Sequence, residues 1–530
     1  MVNRASPTDK RIKPPPFLFR NPPVYSLSPM IKLTRMQCVL VLLLAQCAIY
    51  LQSVGFPWIH LDDYKHIFEN PLIIEPSFQN LLQFWKGPYF TLYIPVTYTA
   101  WFLIGLISHS SWIFHLSNIL LHCGNSVLVF LLFEQLLSTD IRKNPNNVMA
   151  AFLGSLIFSL HPIQVESVVW ISGMKDCLFA FLVLLSAYLY TLKLREQMRF
   201  PDAWLVLLTL AAVLSKPTAV ILPFLLVALR WYLLKEPLKK SFFALIPVFF
   251  TVIPIAVITK MVQPDFQVKD LAPLWFRPVV TLHALGFYLK QVLLPYYFVL
   301  DYGKSPTGVR TGFMREMIFP VLTLLAGYFF YRIRKNRLAV LACAFVLLPI
   351  LPCSGLIPFQ FQLFSTVTDR YFYLSMAGVG LACAGIYVHP AGSAWPAAVQ
   401  FAKRPEWAIA MTLIVFGLVS FKQVSYWRTN EILFEHTLNR NPHSLIALNN
   451  LAYVDSISGR HQRAAQHLKT VTLLKTDEPE LFMNYASALV HSNRHQDAID
   501  VLNGVIKKFP NHTHAQRTLA LLQSSEQPKR

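Results

Sequence analysis

The sequence predicts an all-helical protein, a polytopic membrane domain followed by a short soluble helical domain. Three observations carry this. Hydrophobic residues make up 54% of the 530-residue chain and charged residues only 14%, against roughly a quarter charged in soluble domains. Apolar runs recur from residue 36 to residue 421, and a helix needs about 20 apolar residues to cross a bilayer. From about Trp427 the composition turns soluble and a 34-residue period sets in.

Residues 1–35 are Pro-rich and basic, with Lys10, Arg11, Lys13, Arg20, Lys32 and Arg35. They read as a disordered cytoplasmic tail. The run 36–54 exceeds the apolar stretch of a cleaved signal and reads as an uncleaved anchor. Eleven spans are expected, near 36–55, 113–137, 148–161, 176–193, 203–215, 217–234, 241–262, 313–331, 338–352, 371–389 and 405–421.

Charge gives a check on this count. With the N-terminus inside, the inner loops carry Arg142 and Lys143, then Lys193, Arg195 and Arg199, then Lys235, Lys239 and Lys240. Next come Arg332, Arg334, Lys335 and Arg337, and finally Lys403 and Arg404. Every inner loop is basic, as the positive-inside rule requires. Asp62, Asp63, Glu166, Asp176, Asp301 and Asp369 fall on the outer side, and so does the C-terminal domain. The apolar segments 91–108 and 279–299 break the alternation if counted as spans, so they read as interfacial or re-entrant helices. The membrane domain is then 36–421, with a large outer loop at 56–112.

The net charge of +20 belongs to this anchoring. No groove-reading or base-stacking element accompanies it, so no nucleic-acid partner is expected. The seven cysteines lack metal-ligand spacing and read as small core residues.

In the C-terminal domain, 422–530, Leu451-Ala452 superposes on Tyr485-Ala486, Ala464 on Ala498, Leu468 on Leu502 and Val471 on Val505. A third copy begins at Leu519-Ala520. Small residues at a 34-residue period are the tetratricopeptide pattern, in which paired helices approach closely and neighbours share a core. Two and a fraction repeats are few, so the domain is expected to lean on the membrane domain or a partner.

Candidate chemistry gathers on the outer face. Asp62-Asp63 lies just beyond the first span, and paired carboxylates suit general-base or metal work. His161-Pro162 and Glu166 follow the third span. Lys175-Asp176 opens the fourth, Lys216 sits between two apolar runs, and Asp369-Arg370 precedes Tyr373. Ionisable groups at span mouths are costly. A single one is ordinary anchoring, but several on the face that holds Asp62 favour function. Cations there suit the phosphate of a polyprenyl-phosphate sugar, and a carboxylate suits the proton of an attacking hydroxyl. That combination suits inverting glycosyl transfer.

The same stretches resemble a known family. They are Asp62-Asp63-Tyr64-Lys65-His66-Ile67 with Asn70-Pro71, Phe114 to His122, His161 to Val168, Lys175-Asp176, Ser215-Lys216-Pro217, Gly355-Leu356-Ile357, Asp369 to Leu374 and Trp427-Arg428-Thr429-Asn430. In order and spacing they resemble the transmembrane O-mannosyltransferases with tetratricopeptide repeats, most of all bacterial-type relatives, from Trp58 to the end. The resemblance implies a GT-C glycosyltransferase fold. It also implies transfer of a hexose, mannose by analogy, from a polyprenyl-phosphate donor to Ser/Thr of an extracytoplasmic protein held by the repeats.

By that resemblance Asp62 is the base with Asp63 supporting, and Asp176 or Glu166 is the second acid, with His161 in support. Lys175, Lys216 and Arg370 hold phosphate, and Asp369 and Tyr373 contact sugar or back the site. Many relatives carry a basic residue before the proline that is Pro95; here it is Ile94. No cofactor is required by the residues, and a divalent metal is left open. The membrane expected is a bacterial inner membrane with the site facing the periplasm, with the endoplasmic reticulum lumen as alternative. The rival readings are a lipid or glycan acceptor, a lipid-linked-sugar transporter, and a non-catalytic scaffold.

Overall fold

The computed structural model describes residues 33–138, 145–262, 272–388, 405–475 and 477–526. Among these the regular elements are helices, apart from one isolated β-bridge between Tyr89 and Leu92. The basic tail before residue 33 and the loop cations Arg142, Lys143, Lys403 and Arg404 lie outside the described residues.

Among the described residues, six helices are long and apolar enough to cross a membrane: Arg35–Gly55, Ser111–Leu137, Ile171–Leu194, Pro217–Leu234, Phe313–Ile333 and Ala408–Ser425. Asn147–Leu160 and Pro162–Val169 reach that length only as a pair, bent by 52° as in a broken span or a re-entrant loop. The expected count of eleven is not confirmed by these helices. Asp202–Ser215, Ile246–Val262, Arg337–Ile350 and Met376–Val388 are apolar but shorter. The apolar run at 241–262 is divided, because Leu238–Phe243 stops before Ile246–Val262 begins. The run at 371–389 opens with a 3-10 turn, Asp369–Phe372, and becomes helical only at Met376. The two segments set aside as non-spanning form the helices Pro95–Ile107 and Arg277–Leu293.

Ser111–Leu137 is the central helix. It packs against Arg35–Tyr50, Pro145–Leu160 and Met174–Leu194. Pro145–Leu160 in turn crosses Met376–Val388 where Gly154 meets Gly380. A Cβ on Gly154 would come 2.5 Å from the Gly380 carbonyl, and one on Gly380 would come 2.4 Å from the Gly154 carbonyl. Small residues permit this approach, and between apolar helices close packing replaces the hydrophobic drive.

The C-terminal helices repeat as the sequence period requires. Leu445–Ile457, Pro479–His491 and Thr513–Glu526 begin 34 residues apart, as do His461–Leu474 and Lys508-ending His495–Lys508. The turn inside each pair needs a left-handed residue, Gly459 at φ 73° in the first and Asn493 at φ 59° in the second; Gly and Asn tolerate that region best.

Two cores divide this part of the chain. Ala452 through Ala515 form one of their own. Leu433, Phe434, Ala447 and Leu451 belong instead to the core of the membrane domain. An extra helix, Asn430–Leu438, packs on Leu445–Ile457 and joins the solenoid to the last span. The domain leans on the membrane domain as its shortness demands.

Candidate active site

The polar residues singled out along the chain all sit at helix breaks. Pro217 forces Lys216 into an extended backbone (φ −154°, ψ 125°) between two helices. His161-Pro162 bends the third apolar run, and the short helix Val165–Val169 that follows carries Glu166. Asp176 lies in the first turn of Met174–Leu194, where the helix dipole favours an acid. Asp369 and Arg370 open a 3-10 turn.

The breaks bring these residues together as three acid–cation pairs. Lys175 Nζ lies 2.8 Å from Asp62 Oδ2. Arg370 is paired with Glu166, and Lys216 with Asp176. The pairs adjoin one another across aromatic rings. Trp170 lies 5.3 Å from both Lys175 Nζ and the Arg370 guanidinium carbon. Tyr371 lies 5.0 Å from Arg370 and 5.5 Å from Lys216 Nζ. Cations over ring faces gain by attraction to the ring quadrupole. Lys175, Trp170, Arg370, Tyr371 and Lys216 thus form one continuous cationic and aromatic shelf.

Asp62 and Asp63 are neighbours with opposite environments. The Asp62 side chain is 43% exposed. Burial presses its carboxyl upward, but the charges of Lys175, His66 and Arg370 outweigh this and hold it down to about 2. Asp63 is fully buried. It accepts from Ile59 N at 3.2 Å and from Ser172 N at 2.9 Å, tying the segment after Arg35–Gly55 to the loop before Met174–Leu194. Burial pushes its carboxyl up to about 7 against those bonds. Asp62 faces outward and Asp63 holds it there.

Glu166 and Arg370 are enclosed, at 3% and 9% side-chain exposure. Glu166 also accepts from Thr368 Oγ1 at 2.9 Å and Arg370 N at 3.1 Å. Asp369 accepts from Tyr302 Oη at 2.7 Å, and burial beside Glu166 holds its carboxyl well above the usual range. Asp176 keeps one buried oxygen, Oδ2, without a partner.

Two of the expected site residues face elsewhere. Tyr373 is fully buried, and its hydroxyl meets His122 Nδ1 at 2.8 Å and Asn125 Nδ2 at 2.9 Å inside the bundle. His161 is also buried, accepts from Ile163 N at 3.2 Å and packs on Phe416. Both fix helix breaks behind the charged shelf. Ile94 is buried against the apolar cluster of Tyr98 and Trp101, so no side chain stands in for a cation at that position.

Sequence reasoning missed four contributors. Trp170 and Tyr371 form the shelf, Thr368 bonds Glu166, and His66 interacts electrostatically with Asp62 while bonding Tyr98 Oη at 2.7 Å. His66 had a signal, its place four residues after Asp62. The others had none until the fold brought distant segments together.

The first repeat docks on the same loop. His60, two residues before Asp62, donates its backbone N–H to Asn430 Oδ1 at 2.6 Å. Its ring meets Asn450 Oδ1 at 3.0 Å and stacks on Tyr453 at 3.9 Å. Asn430 also donates to the Trp58 carbonyl at 3.2 Å. Among the described residues, no three His, Cys, Asp or Glu side chains converge as a metal site. Asp63 accepts one backbone N–H on each of its oxygens.

The tetratricopeptide repeat model matches residues 457–522. A protein O-mannosyl-transferase of Caenorhabditis elegans is 21% identical to the chain over 421 residues, which is 76% of this chain and 58% of the relative. The chain therefore matches little more than half the length of that relative. No solved structure matches it.

Proposed function

We propose that this protein is an inverting glycosyltransferase of the outer membrane face. It moves a sugar, mannose by its likeness to the nematode relative, from a polyprenyl-phosphate donor to a hydroxyl of an extracytoplasmic protein. The observation that carries the reading is the half-exposed Asp62 carboxylate, held ionised by Lys175 at the end of a shelf of cations and aromatic rings. The relative's printed name supports the reaction class.

In this reading the acceptor oxygen attacks the anomeric carbon, the bond from that carbon to the phosphate oxygen breaks, and the lipid phosphate leaves with the electron pair. Asp62 takes the hydroxyl proton. Lys175, with Arg370 behind it, stabilises the charge that grows on the departing phosphate. A carboxylate held near pKa 2 by a lysine is a weak base. When the donor phosphate draws Lys175 away, the Asp62 pKa rises toward its ordinary value and the group becomes able to accept the proton. Donor binding thereby arms the base. The aromatic rings of Trp170 and Tyr371 offer apolar faces to the sugar or the first isoprene units. The acceptor arrives from the first repeat, whose Asn450 and Tyr453 already touch His60.

The test is transfer by the purified full chain. Radiolabelled polyprenyl-phosphate-mannose is supplied with a pool of extracytoplasmic peptides, and the product is analysed for label and anomeric configuration. Label on Ser/Thr with inverted configuration supports the proposal. Label on lipid or glycan alone moves the acceptor to the rival class. No transfer from any polyprenyl-phosphate sugar by folded protein overturns it.

A further inference from the structure

A charged surface pocket lies apart from the Asp62 pair, where the membrane domain meets the first repeat. It is open to the surface, has a volume of about 640 Å³ and is lined by Lys304, Arg315, Glu316, Ile318, Arg440 and His443 among others. Arg315 and Ile318 belong to the outer end of the span Phe313–Ile333. Arg440 and His443 come from the turn before Leu445–Ile457. The seam between them is built in advance. Asp301 accepts from Gly303 N at 2.9 Å, Ser444 Oγ at 2.7 Å and Asn441 Nδ2 at 3.3 Å, clamping the turn to the loop.

The cavity holds more positive than negative charge. Glu316 supplies the lining carboxylate, shared among Lys304 at 2.7 Å, His283 at 2.9 Å and Arg315 at 3.4 Å. Arg440 lies 4.5 Å from the centre of the Tyr297 ring and, among the described residues, pairs with no carboxylate. Cations placed like this select an anion, and a guanidinium suits phosphate oxygens. The surroundings say which anion. Met314, Ile318 and Leu324 are exposed along the same span, so the cavity opens onto an apolar, lipid-facing surface. Arg332 and Arg334 mark that span's opposite, inner end.

We propose that this cavity binds the phosphate of an anionic lipid in the outer leaflet, with Arg440 and Arg315 as its main contacts and the acyl chains lying along Phe313–Ile333. The bound lipid pins the first repeat to the membrane surface. This site does not depend on the transferase reading.

Native mass spectrometry of the full chain in neutral detergent tests it with dioleoyl phosphatidic acid, phosphatidylcholine, inorganic phosphate and an Asp/Glu-rich peptide as probes. The expected result is one retained phosphatidic acid, no retained phosphatidylcholine, and retention of phosphatidic acid weakened about tenfold in R315Q/R440Q, with R440K between. Equal retention of the two lipids by the wild-type chain overturns the proposal without recourse to any variant. So does unchanged retention in R315Q/R440Q. Binding of inorganic phosphate or the acidic peptide without retention of phosphatidic acid overturns the lipid as the source of the anion.

Discussion

The pair Asp62–Lys175 and the pair Glu166–Arg370 hold the same charges on the same face of the protein, and both adjoin Trp170. They differ in access. Asp62 is 43% exposed and Lys175 13%, whereas neither member of the second pair exceeds 9%. An open pair gains little stability because water screens it. It is free to exchange its partner for a ligand. A closed pair cannot exchange without leaving a charge buried alone. On the proposed reading the first pair exchanges its partner during turnover, while Arg370 stays bound to Glu166 and acts on the phosphate only through its charge.

Breaking the closed pair has the largest expected effect. Arg370→Gln leaves Glu166 buried with only Thr368 and backbone for partners, and should cost about 3–5 kcal/mol of stability. E166Q/R370Q should lose less than the sum of the two single variants, because the pair is removed together. Thermal or denaturant unfolding in detergent measures both. Equal melting of wild type and Arg370→Gln would place the second pair outside the architecture.

Next is the open pair. Lys175→Met should lower transfer about 100-fold through lost phosphate stabilisation, with a stability change within about 1 kcal/mol. It should also move the acidic limb of the kcat/KM profile, which reports the free enzyme, upward from about 2 toward the ordinary carboxylate value, because the lysine that holds Asp62 down is gone. A profile unmoved by the substitution would separate Lys175 from Asp62.

The adjacent acids give a smaller and opposite pair of pH effects. Asp62 has a folded pKa of about 2, below its unpaired value of 3.8, so its contribution to stability is present above pH 4 and fades as pH falls toward 2. Asp63 has a folded pKa of about 7, above 3.8, so the native state binds the extra proton and stability falls as pH rises from about 4 to 7. Relative to wild type, the stability curves of D62N and D63N should therefore slope in opposite directions, each over its own window. Parallel curves would deny the two residues their separate environments.

The smallest effect belongs to the seam. His60→Ala removes one ring contact with Asn450 and the stack on Tyr453. It should cost about 1 kcal/mol of docking, and lower transfer to a long peptide more than transfer to a short one. A uniform loss across peptide lengths would count against the repeat as the route to Asp62.

Much of this arrangement could be read in the sequence, and the limits have physical causes. The repeat was legible because its period is a property of the chain itself, and Leu445, Pro479 and Thr513 begin helices at the expected spacing. The charged residues of the shelf were legible for another reason. A carboxylate or lysine beside an apolar run is costly, so its presence is itself a signal.

Which acid meets which cation was not legible. Lys175 reaches Asp62 across 113 residues and Arg370 reaches Glu166 across 204, and only tertiary packing fixes such partners. The inward turn of Tyr373 was hidden likewise, since an aromatic residue at a span mouth suits the interface as well as the core. Span number is not settled by hydropathy, which measures apolar length and not helical continuity. The break before Ile246 and the late helix start at Met376 leave the composition unchanged.

The most direct measurement is turnover and melting of Asp62→Asn, made on the same preparation. The account predicts that transfer from polyprenyl-phosphate-mannose falls by about 10²–10⁴-fold, as for loss of a general base, while the unfolding midpoint stays near that of wild type. Transfer at the wild-type rate by folded Asp62→Asn would contradict it and remove Asp62 from the chemistry.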